Sequence, residues 1–259
     1  MKVIILMIFF ISTIIHGIIK ILPGVGINMC GFLDIAVFLG YLFFSLLHSV
    51  IYKGIKNTTL LSIMIIVIMS SLFILFAKFH LLFFSSAGIS VGGVPVFIIL
   101  WFIPIIYNAI SCSEILFGRK FSLTNRLIDS CFSSGLAAGY LAGVLPIIGG
   151  QTNWGTIGYG AYFNTSPYVY LIFFAAFILI IMFYYLLEEK SFSSPYSSFF
   201  LRNLPIFFYI WLFLMAFVTA IVKHEFGLAF SISAIMFPLI LLCLYFFNFY
   251  IKKNSKGVL

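Results

Sequence analysis

The sequence predicts an all-α fold: a single polytopic transmembrane bundle over residues 1–259, of about eight spans, with both termini in the cytoplasm. Three observations lead there. The chain is 64% hydrophobic and only 8% charged, with a mean hydropathy of +1.24; a water-soluble globule of this size needs far more polar cover. Its apolar runs reach the roughly 20 residues that a helix needs to cross about 30 Å of hydrocarbon. Its basic residues gather on one side of the resulting map.

The runs fall near residues 3–22, 28–52, 58–77, 92–112, 127–148, 167–187, 204–222 and 226–250. None shows the period-2 alternation of a lipid-facing barrel, so helices are expected and strands are not. The first run follows Met1-Lys2 as a secretory signal would. No small-x-small cleavage site follows, however, and Ile18, Ile19, Lys20 and Ile21 carry the run onward, so it reads as an uncleaved first helix. Pro23-Gly24-Val25-Gly26 is a turn into the second span, not a nucleotide loop.

Under an eight-span map, Lys2, Lys53, Lys56, Arg119, Lys120, Arg126, Lys190, Arg202, Lys252, Lys253 and Lys256 share the side of the N-terminus. Only Lys20, Lys78 and Lys223 lie on the other. This asymmetry places both termini in the cytoplasm, and a seven-span map would scramble it. The net charge of +8 therefore reads as a topology signal of a protein of the cell membrane. It forms no dense basic patch or aromatic-basic stripe, so a nucleic-acid partner is not expected.

No hydrophilic stretch is long enough for a soluble domain. Two connections stand out. Ser113–Arg126 carries Glu114, Arg119, Lys120 and Arg126, which snorkel to the headgroups and fix the flanking helices. On the outer side, Gly149–Ser166 reads GGQTNWGTIGYGAYFNTS, uncharged and rich in Gly, Tyr and amides. Two readings stand for it: an interfacial aromatic belt, or a lid over a lipid-accessible cavity.

The polar residues are few. Glu114, Glu188, Glu189 and Glu225 fall at helix ends, near water, and Asp129 follows Arg126 closely enough to cap or pair locally. Asp34 lies deeper, in the second span, where an ionised acid costs a few kcal/mol without a partner. His16 lies at a similar depth in the first span, so adjacent antiparallel helices could bring the two together. Such a pair either locks two helices or acts as general acid and base, or as a proton relay. His48, His80 and His224 read as interfacial.

No metal or cofactor is expected. No two histidines stand at i, i+4, and no P-loop, G-x-S-x-G, H-E-x-x-H or Asp-rich diphosphate motif occurs. Cys30, Cys112, Cys131 and Cys243 have no metal-ligand spacing and read as small helix-packing residues.

The middle of the chain carries a more specific pattern. Gly92-Gly93-Val94-Pro95 opens a span containing Trp101 and Tyr107, followed by Arg126, Pro146, Trp154 and Gly160-Ala161-Tyr162-Phe163. This succession, over roughly residues 48–180, resembles the membrane carotenoid biosynthesis proteins, a family of carotenoid hydratases similar to bisanhydrobacterioruberin hydratase. Leu141 and Leu145 stand where that family has aspartates, Thr156 where it has a second Trp, and Asn164-Thr165-Ser166-Pro167 where it has Gly-Val-Pro. The resemblance implies carotenoid or isoprenoid biosynthesis: a hydro-lyase adding water to a terminal double bond of a hydrophobic polyene within the lipid bilayer. Because leucine can neither deliver a proton nor activate water, Asp34 and His16 become the candidate catalytic residues. Trp101, Trp154, Tyr159 and Tyr162 become candidate substrate-binding residues, their ring faces set against the polyene or a developing cation. The alternatives are a small transporter or lipid-handling protein and a family member that has lost catalysis.

Overall fold

The computed structural model describes residues 2–21, 27–79, 83–84, 89–92, 94–117, 126–139, 154–155, 167–188 and 199–222. Six helices dominate them. They are α1 (Lys2–Ile21), α2 (Ile27–Lys78), α3 (Val96–Phe117), α4 (126–139), α5 (Pro167–Leu187) and α6 (Phe199–Val222). Lys2–Ile19, Ile35–Lys78 and Val96–Ile115 are long and apolar enough to cross a membrane. The expected eighth run, 226–250, lies outside the described residues, as does the latter part of the fifth.

α2 is not one rod. Gly54 breaks it with φ 83 and ψ 161, a backbone region that is essentially glycine's alone. Beyond the break the chain doubles back. Ser49 and Thr58 hydroxyls meet at 2.8 Å, although residues nine apart in an unbroken helix are separated by about 13 Å of rise. Asn57 Nδ2 and Thr58 Oγ1 then fold back onto the carbonyls of Lys53 (2.9 Å) and Gly54 (2.8 Å), anchoring the start of the second arm. The two expected spans 28–52 and 58–77 are therefore a hairpin whose corner is a single non-helical residue.

Ring contacts set the directions of the other helices. The first arm of α2 runs antiparallel to α1: Phe9 stacks on Phe43 (5.5 Å), while Thr13, one turn later in α1, faces Gly40, earlier in α2. It runs antiparallel to α6 as well, where Phe208 stacks on Tyr41 (4.7 Å) and the earlier Leu201 carbonyl meets the later His48 at 2.9 Å. The second arm and α5 meet α3 in a block of phenylalanines, Phe73, Phe102, Phe173 and Phe177. The described helices thus alternate in direction around a largely buried α3. At one end lie the start of α1, the Gly54 corner, the end of α3, the starts of α4 and α6 and the end of α5. This is called the corner end below. Lys2, Lys53, Lys56 and Arg126 lie there, and Lys78 lies at the other.

Polarity is arranged inside out. Ile4, Ile8, Ile11, Ile15 and Ile18 form an exposed stripe on α1, and Leu171, Leu179, Phe183 and Leu187 do so on α5, while Lys53, Glu188, Arg126 and Asp129 are buried. Stripes of this kind suit contact with lipid tails.

One close approach fixes α1. A Cβ added at Gly40 would lie 2.1 Å from Thr13 Oγ1, a hydroxyl held by the Phe9 carbonyl at 2.6 Å. We expect Gly40→Ala to cost about 1–3 kcal/mol through overpacking. Thermal unfolding in detergent should show the loss, and adding Thr13→Ala should recover most of it.

Short antiparallel strand pairs join the helices. β1 (Phe83–Phe84) pairs with β4 (Trp154–Gly155), and β2 (Ser90–Val91) pairs with β3 (Val94–Pro95). The second pair turns beyond Val91, where Gly92 has φ 60, the left-handed geometry that hairpin turns favour. The sequence reading expected no strands and a helix from residue 92. Instead the left-handed Gly92 and the strand Val94–Pro95 delay α3 to Val96.

Candidate functional site

A row of the buried polar side chains lines up along one contact, between the first arm of α2 and α3. The two helices run parallel here, because each level pairs residues at a nearly constant separation in sequence. Tyr41 OH donates to the Pro104 carbonyl at 3.4 Å. Asn108 Nδ2 donates to Ser45 Oγ at 2.9 Å and to the same Pro104 carbonyl at 2.8 Å. His48 Nδ1 meets the Tyr107 hydroxyl. At the corner end Lys53 Nζ pairs with Glu114 Oε1 at 2.5 Å.

Tyr41 to Lys53 covers about 18 Å of helix at about 1.5 Å per residue. That is more than half of the roughly 30 Å of a hydrocarbon core. One acceptor in mid-seam is open: Asn108 Oδ1 is buried without a hydrogen-bond partner among the described residues, and so is the Ser113 hydroxyl on α3. Leaving such groups unsatisfied costs about 1–3 kcal/mol each, so the seam has capacity for a further polar group.

Lys53 is a junction. Its side chain is 2% exposed and Nζ lies 3.8 Å from Glu188 Oε1. Nζ also stands 5.4 Å above the Tyr184 ring, whose hydroxyl donates to Glu188 at 2.9 Å. One ammonium thus faces carboxylates from α3 and from the end of α5. Beside them Arg126 Nη1 donates to the Tyr185 carbonyl at 2.5 Å, tying α4 to α5. Tyr185 lies within electrostatic range of Glu114, Asp129 and Glu188. Three of the chain's six carboxylates therefore gather around one corner.

His48 owes its second bond to a proline. Pro205 has no N–H to give the carbonyl of Leu201 one turn earlier in α6. His48 Nε2 fills that gap at 2.9 Å. Because a carbonyl only accepts, Nε2 carries the hydrogen, and in the neutral ring Nδ1 accepts from the Tyr107 hydroxyl.

These residues correct the sequence reading in three places. His48, expected at the interface, is buried between α2, α3 and α6. Glu114 and Glu188, expected near water, close an ion-pair junction. Lys53, counted as a topology charge, is among the most enclosed side chains of the bundle. The signal that could have found them is Tyr41, Ser45, His48 and Tyr52-Lys53, a polar repeat every three to four residues along one face of an otherwise apolar helix.

The residues singled out from sequence are placed as follows. His16 Nδ1 turns onto its own helix, 2.7 Å from the Ser12 carbonyl. Asp34 lies on the first arm of α2, and its side chain is outside the described residues. Trp101 stands beside the seam, its ring 5.1 Å from Phe38 and 6.0 Å from Tyr41. Trp154 joins β4, so its backbone pairs with Phe84; its side chain lies outside the described residues. Tyr159, Tyr162, Leu141 and Leu145 lie outside them altogether, as does most of the Gly149–Ser166 connection.

Fold and seam together define a class: a helical protein with apolar helices long enough to cross a membrane and a buried polar seam. Compared with known protein families, curated proteins and solved structures, the chain matches none.

Proposed function

We propose that this chain is a multi-pass carrier of the cell membrane, with eight spans and both termini in the cytoplasm, that moves a small polar solute along the seam. The observation that carries this reading is the seam itself: about 18 Å of buried hydroxyl, amide, imidazole and charged groups, with Asn108 Oδ1 left open. Polar and ionisable side chains are expensive in a bilayer and mark substrate and ion pathways there. The orientation is supported by the exposed Lys2 and Lys56 at the corner end against Lys78 at the other.

The test uses purified protein in sealed vesicles with a trapped pH-sensitive dye. Pools of amino acids, sugars, nucleosides and organic acids are added under an imposed pH gradient. At least one pool should speed the collapse of the gradient beyond protein-free vesicles, and Asn108→Leu should abolish the excess. No excess with any pool would sink the carrier reading.

A second reading has its own observation. Trp101, Phe38 and Tyr41 form an aromatic wall beside the seam, suited to the face of a polyene. Under this reading the chain hydrates a terminal double bond of an acyclic carotenoid, as its resemblance to carotenoid hydratases implies. Expression in cells accumulating acyclic carotenoids should then yield products heavier by one water. Their absence would reject it.

A further inference from the structure

We propose that His48 is the proton-binding site of the seam, and that its protonation reverses the hydrogen bond to Tyr107. The inference rests on geometry that is independent of transport, and it deepens the carrier reading by naming the coupled ion. Both ring nitrogens of His48 are engaged, but unequally. Nε2–H is committed to the carbonyl that Pro205 leaves vacant, so an arriving proton can settle only on Nδ1. There the partner is a hydroxyl, which both donates and accepts.

The step balances simply. In the neutral state Tyr107 O–H donates to the Nδ1 lone pair. When a proton binds, Nδ1–H donates to the Tyr107 oxygen, and the phenolic hydrogen turns away from the imidazole. The charge rises by one, and no bond to Leu201 is lost. Tyr107 is adjacent in sequence to Asn108, whose Oδ1 is the open acceptor of the seam. The reversal therefore changes hydrogen-bond polarity next to the place where a solute would sit.

The surroundings of the ring are compatible with that task. From its own helix it meets Tyr52 at 4.5 Å and Phe44 at 5.8 Å. From α3 it meets Tyr107, and from α6 the Leu201 carbonyl, the side chain of Arg202 lying outside the described residues. Lys53, Glu114 and Glu188 stand toward the corner end, and the first two form an ion pair at 2.5 Å.

The experiment is nitrogen-15 magnetic resonance of histidine-labelled full-length protein in lipid bilayers, with carbon-13 at the tyrosine ring carbon bearing oxygen. His48 is assigned by His48→Gln and, independently, by eliminating the other three histidines with His16→Gln, His80→Gln and His224→Gln. At high pH His48 should be neutral and protonated at Nε2. Acidification from about pH 9 to about pH 5 should remove its unprotonated Nδ1 signal and shift the Tyr107 ring carbon in step. Pro205→Ala, which returns an N–H to the Leu201 carbonyl, should shift the Nε2 signal. A neutral ring protonated at Nδ1, a ring that never gains a second proton over this range, or a Tyr107 signal blind to the change would each overturn the assignment. If His48 behaves as described while no solute pool moves protons in vesicles, the assignment stands and the carrier reading falls.

Discussion

Lys53→Met should be the most damaging single change in the bundle, with a loss of about 3–5 kcal/mol, the usual cost of removing one partner of a buried ion pair. The methionine matches the alkyl stem, so packing is nearly kept and the effect reports charge. Glu114 then loses its 2.5 Å partner and Glu188 its 3.8 Å one. Glu188 keeps the Tyr184 hydroxyl at 2.9 Å. A second change, Glu114→Gln, should therefore restore more than half of the loss, since neutralising both members of a pair is far less costly than orphaning one. Thermal unfolding in detergent, with the monodisperse fraction as a second readout, checks both. If the double variant is no better than Lys53→Met, the Lys53–Glu114 pair is not the dominant contact at this corner.

Gly54→Ala is the second large effect. At φ 83 and ψ 161 a Cβ is strained, and a residue held in such a region costs of order 1–3 kcal/mol. The strain has nowhere to relax locally. Ser49 is bonded to Thr58 across the corner, and Lys53, adjacent to it, is held by Glu114. We expect the full cost to appear, together with a weakened Ser49–Thr58 tie. Ile55→Ala nearby, exposed by 70%, should by contrast stay within about 0.5 kcal/mol of the parent. Equal effects for Gly54→Ala and Ile55→Ala would argue against a strained corner.

The helices were legible in the sequence because lipid imposes one simple demand: an unbroken run of apolar residues long enough to cross. That demand located α1, both arms of α2 and α5 almost to the residue. It could not reveal the corner, because Lys53-Gly54-Ile55-Lys56 reads equally as a loop of several residues. The seam was less legible still. Ser45 and Asn108, or His48 and Tyr107, are some sixty positions apart, and nothing local marks either member as having a partner. Read singly, each of these residues has an ordinary explanation. Only the parallel register of two helices that are not sequence neighbours turns them into a line. Conversely, His16 was noticed for its depth, yet depth did not show that the ring would bond its own helix at Ser12.

The Gly54 corner also bears on how the orientation of this protein can be measured. A reversal made by one residue, with its flanks already bonded, leaves no slack chain between the two arms. A reporter enzyme, epitope or protease site inserted between residues 53 and 56 would pry apart the Lys53 junction and the Ser49–Thr58 tie. It would then report on a broken protein instead of on a side of the membrane. Labels for deciding which face looks inward belong away from this corner.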